Sequence, residues 1–135
     1  MTGMDVLRRC SEYKNDMARL RLRLGCARDA AMRITRSTDT TGHGSGGDKM
    51  GVYVEKVDEI EREMVIREAQ YEQDVGMAAR LVTRIDPLQG RVMYLRLVRG
   101  LTIRQTAAEL RTSESSVRGL YRRGREALEE IQINE

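Results

Sequence analysis

Four arginines lie within eight residues near the C-terminal end of the sequence, at Arg118, Arg122, Arg123 and Arg125. A guanidinium group forms paired hydrogen bonds with phosphate oxygens and with the guanine edge, which a lysine ammonium cannot do. Arg118 and Arg122 stand four residues apart, so a helix would place both on one face. These residue types and this spacing indicate contact with a nucleic acid.

The sequence contains no comparable set of residues for catalysis or metal binding. His43 is the only histidine, and Cys10 and Cys26 are too few and too far apart for a zinc site, so we interpret both as small apolar fillers. A run of carboxylates is typical of a solvated helix face, and it comprises Asp58, Glu59, Glu61 and Glu63. We therefore expect no enzyme activity, metal, cofactor or small-molecule substrate.

Composition restricts the fold class. The 135 residues are 40% hydrophobic and 33% charged, and the 4% that are aromatic are all Tyr. Because the apolar residues are mostly strong helix formers and there is one Pro, we predict an all-α chain. A net charge of +3 permits a polyanionic partner. Without a membrane-length apolar run or signal peptide, we expect a cytoplasmic, nucleoid-associated protein with no membrane partner.

Heptad spacing dominates the first 85 residues. Apolar residues alternate four and three apart from Val6 to Ile34, which predicts a helix over 5–36, and a second seam predicts a helix over 50–85. Gly- and Ser-rich residues 37–49 predict a flexible loop between them. Neither helix can bury its stripe alone, so residues 1–85 should form a long antiparallel hairpin. The two helices could pack on each other within one chain or be swapped between two chains. The hairpin is also a candidate surface for a homodimer.

The predicted helices over residues 86–135 are short and are separated by capping and turn residues. Asp86 is an N-cap followed by Pro87, Gly100 ends the first helix, Thr102 opens a short helix with a capping box, and Ser113 caps the third. This order of a helix, a short helix, a tight turn and a longer helix is typical of a helix-turn-helix unit.

Residues 91–110 resemble region 4 of bacterial sigma-70 family factors, and the similarity continues through 113–118 and 123–128. The matching motif residues are Gly100-Leu101-Thr102, Thr106-Ala107, Ser113, Val117-Arg118, Arg123-Gly124 and Leu128. The resemblance implies a helix-turn-helix domain over about 86–131, with double-stranded DNA as partner and RNA polymerase as a candidate partner. The layout of a helical pair, a Gly/Ser loop and this unit is also similar to short phage and prophage transcription regulators of the ArpU type.

The resemblance makes the third helix the recognition helix, whose N-terminal part enters the major groove. Its outward positions are the expected base contacts, and they are Glu114, Ser115, Ser116, Arg118, Gly119 and Arg122. Phosphate contacts position the protein without reading sequence, and those expected are Arg104, Arg111, Ser113, Arg123 and Arg125. Three residues depart from the family pattern. Arg111 stands where Gly is common in the turn, and Gly119 stands where the family usually presents a base-reading side chain. Gly124 replaces the usual Ala, which we expect to loosen the third helix.

Three hypotheses fit these observations. The first is a sequence-specific DNA-binding transcription regulator, encoded by a phage or prophage, whose hairpin mediates self-association or contact with RNA polymerase. The second is a small terminase-type DNA-packaging subunit, which also joins a helix-turn-helix unit to a helical oligomerisation arm. The third is an adaptor that binds polymerase or a sigma factor through the hairpin and does not bind DNA.

Overall fold

A computed structural model describes residues 1–41 and 46–134, with side chains described for 1–34 and 51–134. It confirms the all-α prediction. Within the described residues there are five α-helices, and they are α1 (Gly3–Thr41), α2 (Gly46–Val82), α3 (Pro87–Met93), α4 (Ile103–Leu110) and α5 (Glu114–Glu129). A π-helical turn, Tyr94–Val98, continues α3.

The two long helices extend further into the predicted loop than the Gly and Ser content indicated. α1 continues to Thr41, because residues 37–41 contain neither Gly nor Pro and each added residue gains a helical hydrogen bond. α2 begins at Gly46. The remaining loop residues, 42–45, lie outside the described residues. At its other end α2 stops at Val82, three residues before the predicted end, and a turn leads into the Asp86 cap.

Residues 14–69 form one compact unit, an antiparallel pair of helical segments. Three ion pairs establish the direction, because their α1 numbers rise as their α2 numbers fall. They are Asp16–Arg67 at 3.1 Å, Arg23–Glu63 at 3.3 Å and Arg28–Glu61 at 3.0 Å. Between the helices the predicted seam is buried, and its buried members here are Met17, Leu20, Leu24, Ala27 and Ile60. Cys26 lies off this seam and is exposed, so its interpretation as an apolar filler was wrong, whereas Cys10 is buried.

Residues 1–13 and 70–134 form the other compact unit, which has a core of its own. The first turns of α1, the end of α2, α3 and α5 all contribute to that core, and its buried members are Met4, Val6, Leu7, Cys10, Ala78, Leu81, Met93 and Leu128. These contacts divide the chain differently from the predicted boundary between 85 and 86, because α1 and α2 each supply apolar residues to the core beneath the short helices.

The beginning of α1 is held by backbone and side-chain hydrogen bonds. Gly3 N donates to Ile131 O at 2.8 Å, and Ile133 N donates to Met1 O at 2.9 Å. The Asp5 carboxylate accepts hydrogen bonds from Thr2 N at 2.8 Å and from the Arg8 guanidinium at 2.9 Å. The hydrogen bonds from Thr2, with the nearby Arg8 charge, lower the pKa of Asp5 below its usual value of 3.8.

Two buried glycines allow helices to approach closely. A Cβ at Gly90 in α3 would lie 2.4 Å from Val82 O, and a Cβ at Gly124 in α5 would lie 2.7 Å from Met93 Cγ. Gly124 therefore does not simply loosen α5, as its place in the sequence suggested; it lets α5 pack directly on α3. No helix within the described residues is long and apolar enough to cross a membrane.

Candidate nucleic-acid interface

Two capped helices, α4 and α5, pack on α3 around a small apolar cluster. Val92 of α3, Ala107 of α4 and Val117 of α5 form its buried centre, and α5 contacts both of the other helices. Because Ala107 has only a methyl group, α4 can lie close to its neighbours at this point. The cluster holds α5 with one face inward and the other in solvent.

The predicted caps are present at the atomic level. Gln105 N donates to Thr102 Oγ1 at 3.1 Å, and Thr102 N donates to Gln105 Oε1 at 2.9 Å, which completes the capping box of α4. Ser116 N donates to Ser113 Oγ at 3.1 Å at the start of α5. The Ser113 hydroxyl therefore caps its own helix, and any phosphate contact at this position shares the exposed N-terminus of α5 with that cap.

The tight turn between α4 and α5 depends on Arg111, whose φ of 53° and ψ of 48° are left-handed. Residues other than Gly lose about 1–2 kcal/mol in this conformation because Cβ crowds the following carbonyl. Arg111 N and Thr112 N donate to carbonyls of the last turn of α4, so the helix end is closed. The side chain is exposed, and its positive charge lies at the C-terminal end of α4, where the helix dipole is negative.

The outward face of α5 carries the expected base-contact residues. Five of the six are exposed in the structure, namely Glu114, Ser115, Ser116, Arg118 and Arg122. Gly119 is half-buried and has no side chain to offer. The opposite face holds Val117, Gly124 and Leu128, which are all buried. α5 is therefore anchored on one side while its cationic and hydroxyl side chains point to solvent.

The expected phosphate-contact residues lie on three neighbouring segments. Arg104 is on α4, Arg111 is in the turn, and Ser113, Arg123 and Arg125 belong to the cap and body of α5. All five are exposed. Arg125 Nε lies 3.9 Å from the Glu129 carboxylate, one helical turn later.

Residues 76–128, which are 53 of the 135 residues, match the sequence model of the family described as Sigma-70, region 4. This segment is a sigma-70 region 4 helix-turn-helix domain. Such a domain binds DNA and has a regulatory role, and in sigma factors it also binds RNA polymerase. No curated protein and no solved structure matches the chain.

The region 4 domain begins earlier than the motif residues indicated. The match starts at Gly76, inside α2, whereas the sequence motifs indicated a start near residue 86. The structure supplies the reason, because Ala78 and Leu81 of α2 share a core with Met93 of α3 and Leu128 of α5. The end of α2 is therefore the first helix of the region 4 domain.

Arg118 and Glu114 form an ion pair on the outward face of α5. The Arg118 guanidinium is 3.7 Å from the Glu114 carboxylate, and both side chains are well exposed, at 62% and 48%. An exposed pair of this kind contributes about 0–1 kcal/mol to stability. The pair can therefore open at small cost.

Arg96 is a residue that sequence reasoning did not single out. Its guanidinium donates to Leu101 O at 2.6 Å and lies 5.8 Å from the centre of the Tyr121 ring. These contacts connect the loop before α4 to α5, so Arg96 helps to position α5. The sequence did offer a signal for Arg96, because it is a basic residue close to the helix end at Gly100. Such side chains often form hydrogen bonds with the last carbonyls of a helix.

The region 4 domain also carries a groove of about 510 Å³. Its walls are mainly apolar, and Val82, Ile85, Pro87 and Leu95 supply them. Two cations and one carboxylate, Arg91, Arg99 and Glu109, also line the groove. Within residues 1–41 and 46–134, no cluster of His, Cys, Asp or Glu is arranged to hold a metal ion.

Proposed function

We propose that this chain is a sequence-specific DNA-binding transcription regulator that reads a promoter element with α5 and acts together with RNA polymerase. The exposure of Arg118 and Arg122 on the outward face of a helix anchored by Val117 and Leu128 carries this proposal. The region 4 match supplies the DNA-binding class. The layout of the chain is similar to that of ArpU-type regulators, which supports an origin in a phage or prophage gene. We propose that the protein acts in the cytoplasm on the nucleoid.

In this proposal the N-terminal half of α5 enters the major groove. Arg118 exchanges the Glu114 carboxylate for a guanine edge, to which a guanidinium forms two hydrogen bonds. Arg122 lies one turn further along the same face and reaches the next base or a phosphate. The hydroxyls of Ser115 and Ser116 complete a short set of base-edge donors and acceptors.

The remaining cations fix the orientation of the domain. Arg104, Arg111, Arg123 and Arg125 would contact phosphates on either side of the groove, and such contacts position a protein without reading sequence. Residues 86–135 carry nine basic and seven acidic side chains, a net charge of only +2. We therefore propose that the isolated domain binds weakly and that polymerase, or a second copy, supplies the rest of the affinity.

A footprinting assay on the DNA upstream of the chain's own gene, with and without RNA polymerase, tests the proposal. Arg118→Ala should weaken specific binding by about 1–3 kcal/mol and relax preference at one base pair. Arg125→Ala should weaken all sequences alike and reduce the salt slope by about 1. Arg21→Ala, an exposed arginine in the hairpin, is the matched control and should change neither.

Two results would overturn the proposal. The first is an absence of DNA binding at low salt, both alone and with polymerase. The second is polymerase or sigma-factor binding that survives Arg118→Ala and Arg122→Ala together, without any protected DNA, which would favour the adaptor hypothesis. Protection of packaging-type sites with ring-sized oligomers would instead favour the small terminase hypothesis.

A further inference from the structure

The hairpin unit exposes large apolar side chains outside the seam between its helices. Within residues 14–34 and 51–69 they are Leu22, Met32, Val52, Val54, Val65 and Ile66. An antiparallel pair of helices buries one stripe of each helix and leaves the remaining faces in solvent. Apolar side chains concentrated on such faces mark surfaces that bind another protein segment.

One side of this unit carries a groove of about 380 Å³ between the two helices. Ile60 and Ala27 are buried there, and Tyr53 and Cys26 also line it. Leu22 stands at the same groove with 70% of its surface exposed. One surface therefore carries both an apolar cavity and a projecting apolar side chain, which is the self-complementary arrangement that a twofold interface requires.

The charges of the two helical segments are opposite. Residues 14–34 carry six basic and two acidic side chains, whereas residues 51–69 carry six acidic and three basic side chains. At the groove, Arg23 lines the α1 side and pairs with Glu63 of its own chain at 3.3 Å, and Lys56 lines the α2 side. Glu59 and Glu63 follow Lys56 by three and seven residues, so they share its face on the α2 side. Complementary charge selects the partner and the orientation in which it binds.

We propose that this groove binds a second copy of the chain, with α1 of each copy antiparallel to α2 of the other in a four-helix bundle. Leu22 of each copy packs against the groove of the other copy. A twofold axis parallel to the helices produces this arrangement, and it brings basic helices against acidic ones on both sides. The alternative axis, perpendicular to the helices, stacks α1 on α1 and opposes like charges. This self-association concerns the hairpin unit and does not depend on DNA binding.

Sedimentation velocity of the full chain without DNA tests the interface. We expect a species of twice the chain mass of 15.4 kDa. Leu22→Glu should raise the dimer dissociation constant at least tenfold without loss of helical content, because Leu22 is exposed within its own chain. Met32→Glu is the matched control, since Met32 is an exposed residue of the same helix that does not line the groove, and it should leave the constant unchanged. A monomeric wild-type chain, or Leu22→Glu dimers as tight as wild type, overturns the proposal.

Charge reversal tests the arrangement. Arg23→Glu and Glu59→Arg should each weaken their own homodimer, because each places like charges opposite one another at both contacts. An equimolar mixture of the two variants should regain most of the wild-type affinity, since every contact between the copies then pairs opposite charges. Arg23→Glu also removes the exposed Arg23–Glu63 pair within its own chain, so circular dichroism must show unchanged helical content in each variant. A mixture that stays as weak as the separate variants overturns the packing of α1 on α2.

Discussion

The Arg118 guanidinium lies 3.7 Å from the Glu114 carboxylate, one turn earlier on the recognition helix. Both residues belong to the face that the proposed function directs at DNA. In the proposed complex the Glu114 carboxylate would compete with the DNA phosphates for the Arg118 charge. We therefore expect Glu114 to weaken non-specific binding more than base-specific binding.

Glu114→Gln should raise affinity for random duplex DNA severalfold and steepen its salt dependence, because it removes a negative charge that faces the phosphates. It should also cost about 0.5 kcal/mol of stability, since an acidic residue in the first turn favours the helix dipole. Fluorescence anisotropy across a salt series measures the first effect, and urea denaturation measures the second. Glu130→Gln, at the far end of α5, is the control and should change binding less. Unchanged random-duplex binding in Glu114→Gln would refute this role.

Arg111→Gly should raise the free energy of unfolding by about 1 kcal/mol, because Gly adopts the left-handed conformation without Cβ crowding. The same substitution should weaken DNA binding if Arg111 contacts a phosphate. Arg111→Ala separates the two effects, since it removes the charge and keeps the strain. Urea denaturation and anisotropy on the three proteins check the prediction, and equal stabilities of the Gly and Ala variants would contradict it.

Two glycine-to-alanine changes on α5 should have opposite effects on stability. Gly119→Ala should stabilise by up to about 1 kcal/mol, because helix propensity improves and the nearest obstacle is the flexible Arg123 guanidinium, 3.4 Å from the new Cβ. Gly124→Ala should destabilise, because its Cβ would lie 2.7 Å from Met93 Cγ in a buried site and overpacking costs about 1–3 kcal/mol. Thermal and urea unfolding measure both, and a Gly124→Ala protein as stable as Gly119→Ala contradicts the close packing of α5 on α3.

Asp5 should make the stability of the N-terminal turn depend on pH. Its pKa in the folded chain is lowered below 3.8 by the hydrogen bonds from Thr2 and the nearby Arg8 charge. A group with a lowered folded pKa contributes stability that is present above the unfolded pKa and is lost as pH falls through the folded pKa. Between about pH 5 and pH 2, wild type should therefore lose more stability than Asp5→Asn. Urea denaturation at each pH measures this difference, with Glu12→Gln, an exposed carboxylate of the same helix, as control. Parallel pH profiles for wild type and Asp5→Asn would exclude the effect.

Local features of the fold were predictable from the sequence. The predicted α1 seam from Val6 to Ile34 is buried at six of its nine positions. Tyr13, Ala31 and Ile34 are half-buried, and Tyr13 stacks on Tyr71 with ring centres 3.9 Å apart. The caps at Asp86, Thr102 and Ser113 lie at the predicted positions. Such features depend on the spacing of apolar residues and on hydrogen bonds between residues a few positions apart. Both can be predicted from short stretches of sequence.

The exposure of the candidate site residues was also predictable from the sequence. The expected contact residues are exposed because α5 has one apolar face, and Val117 and Leu128 define that face in the sequence as in the structure. Arg96 was missed, because its contact with Tyr121 joins two segments 25 residues apart and no local pattern encodes it. Contact of the expected residues with bases and phosphates stays a prediction.

By itself, the sequence determined the helices, their caps, the seam of the hairpin and the helix-turn-helix order, since each follows from local propensity and spacing. Tertiary structure decided which residues share the core beneath the short helices. α1 begins and α2 ends in a core with Met93 and Leu128, and Gly3 bonds to Ile131. Gly90 and Gly124 allow neighbouring helices to pack closely. Those contacts join residues that are distant along the chain, and their energies depend on shape complementarity that appears only once the helices are packed.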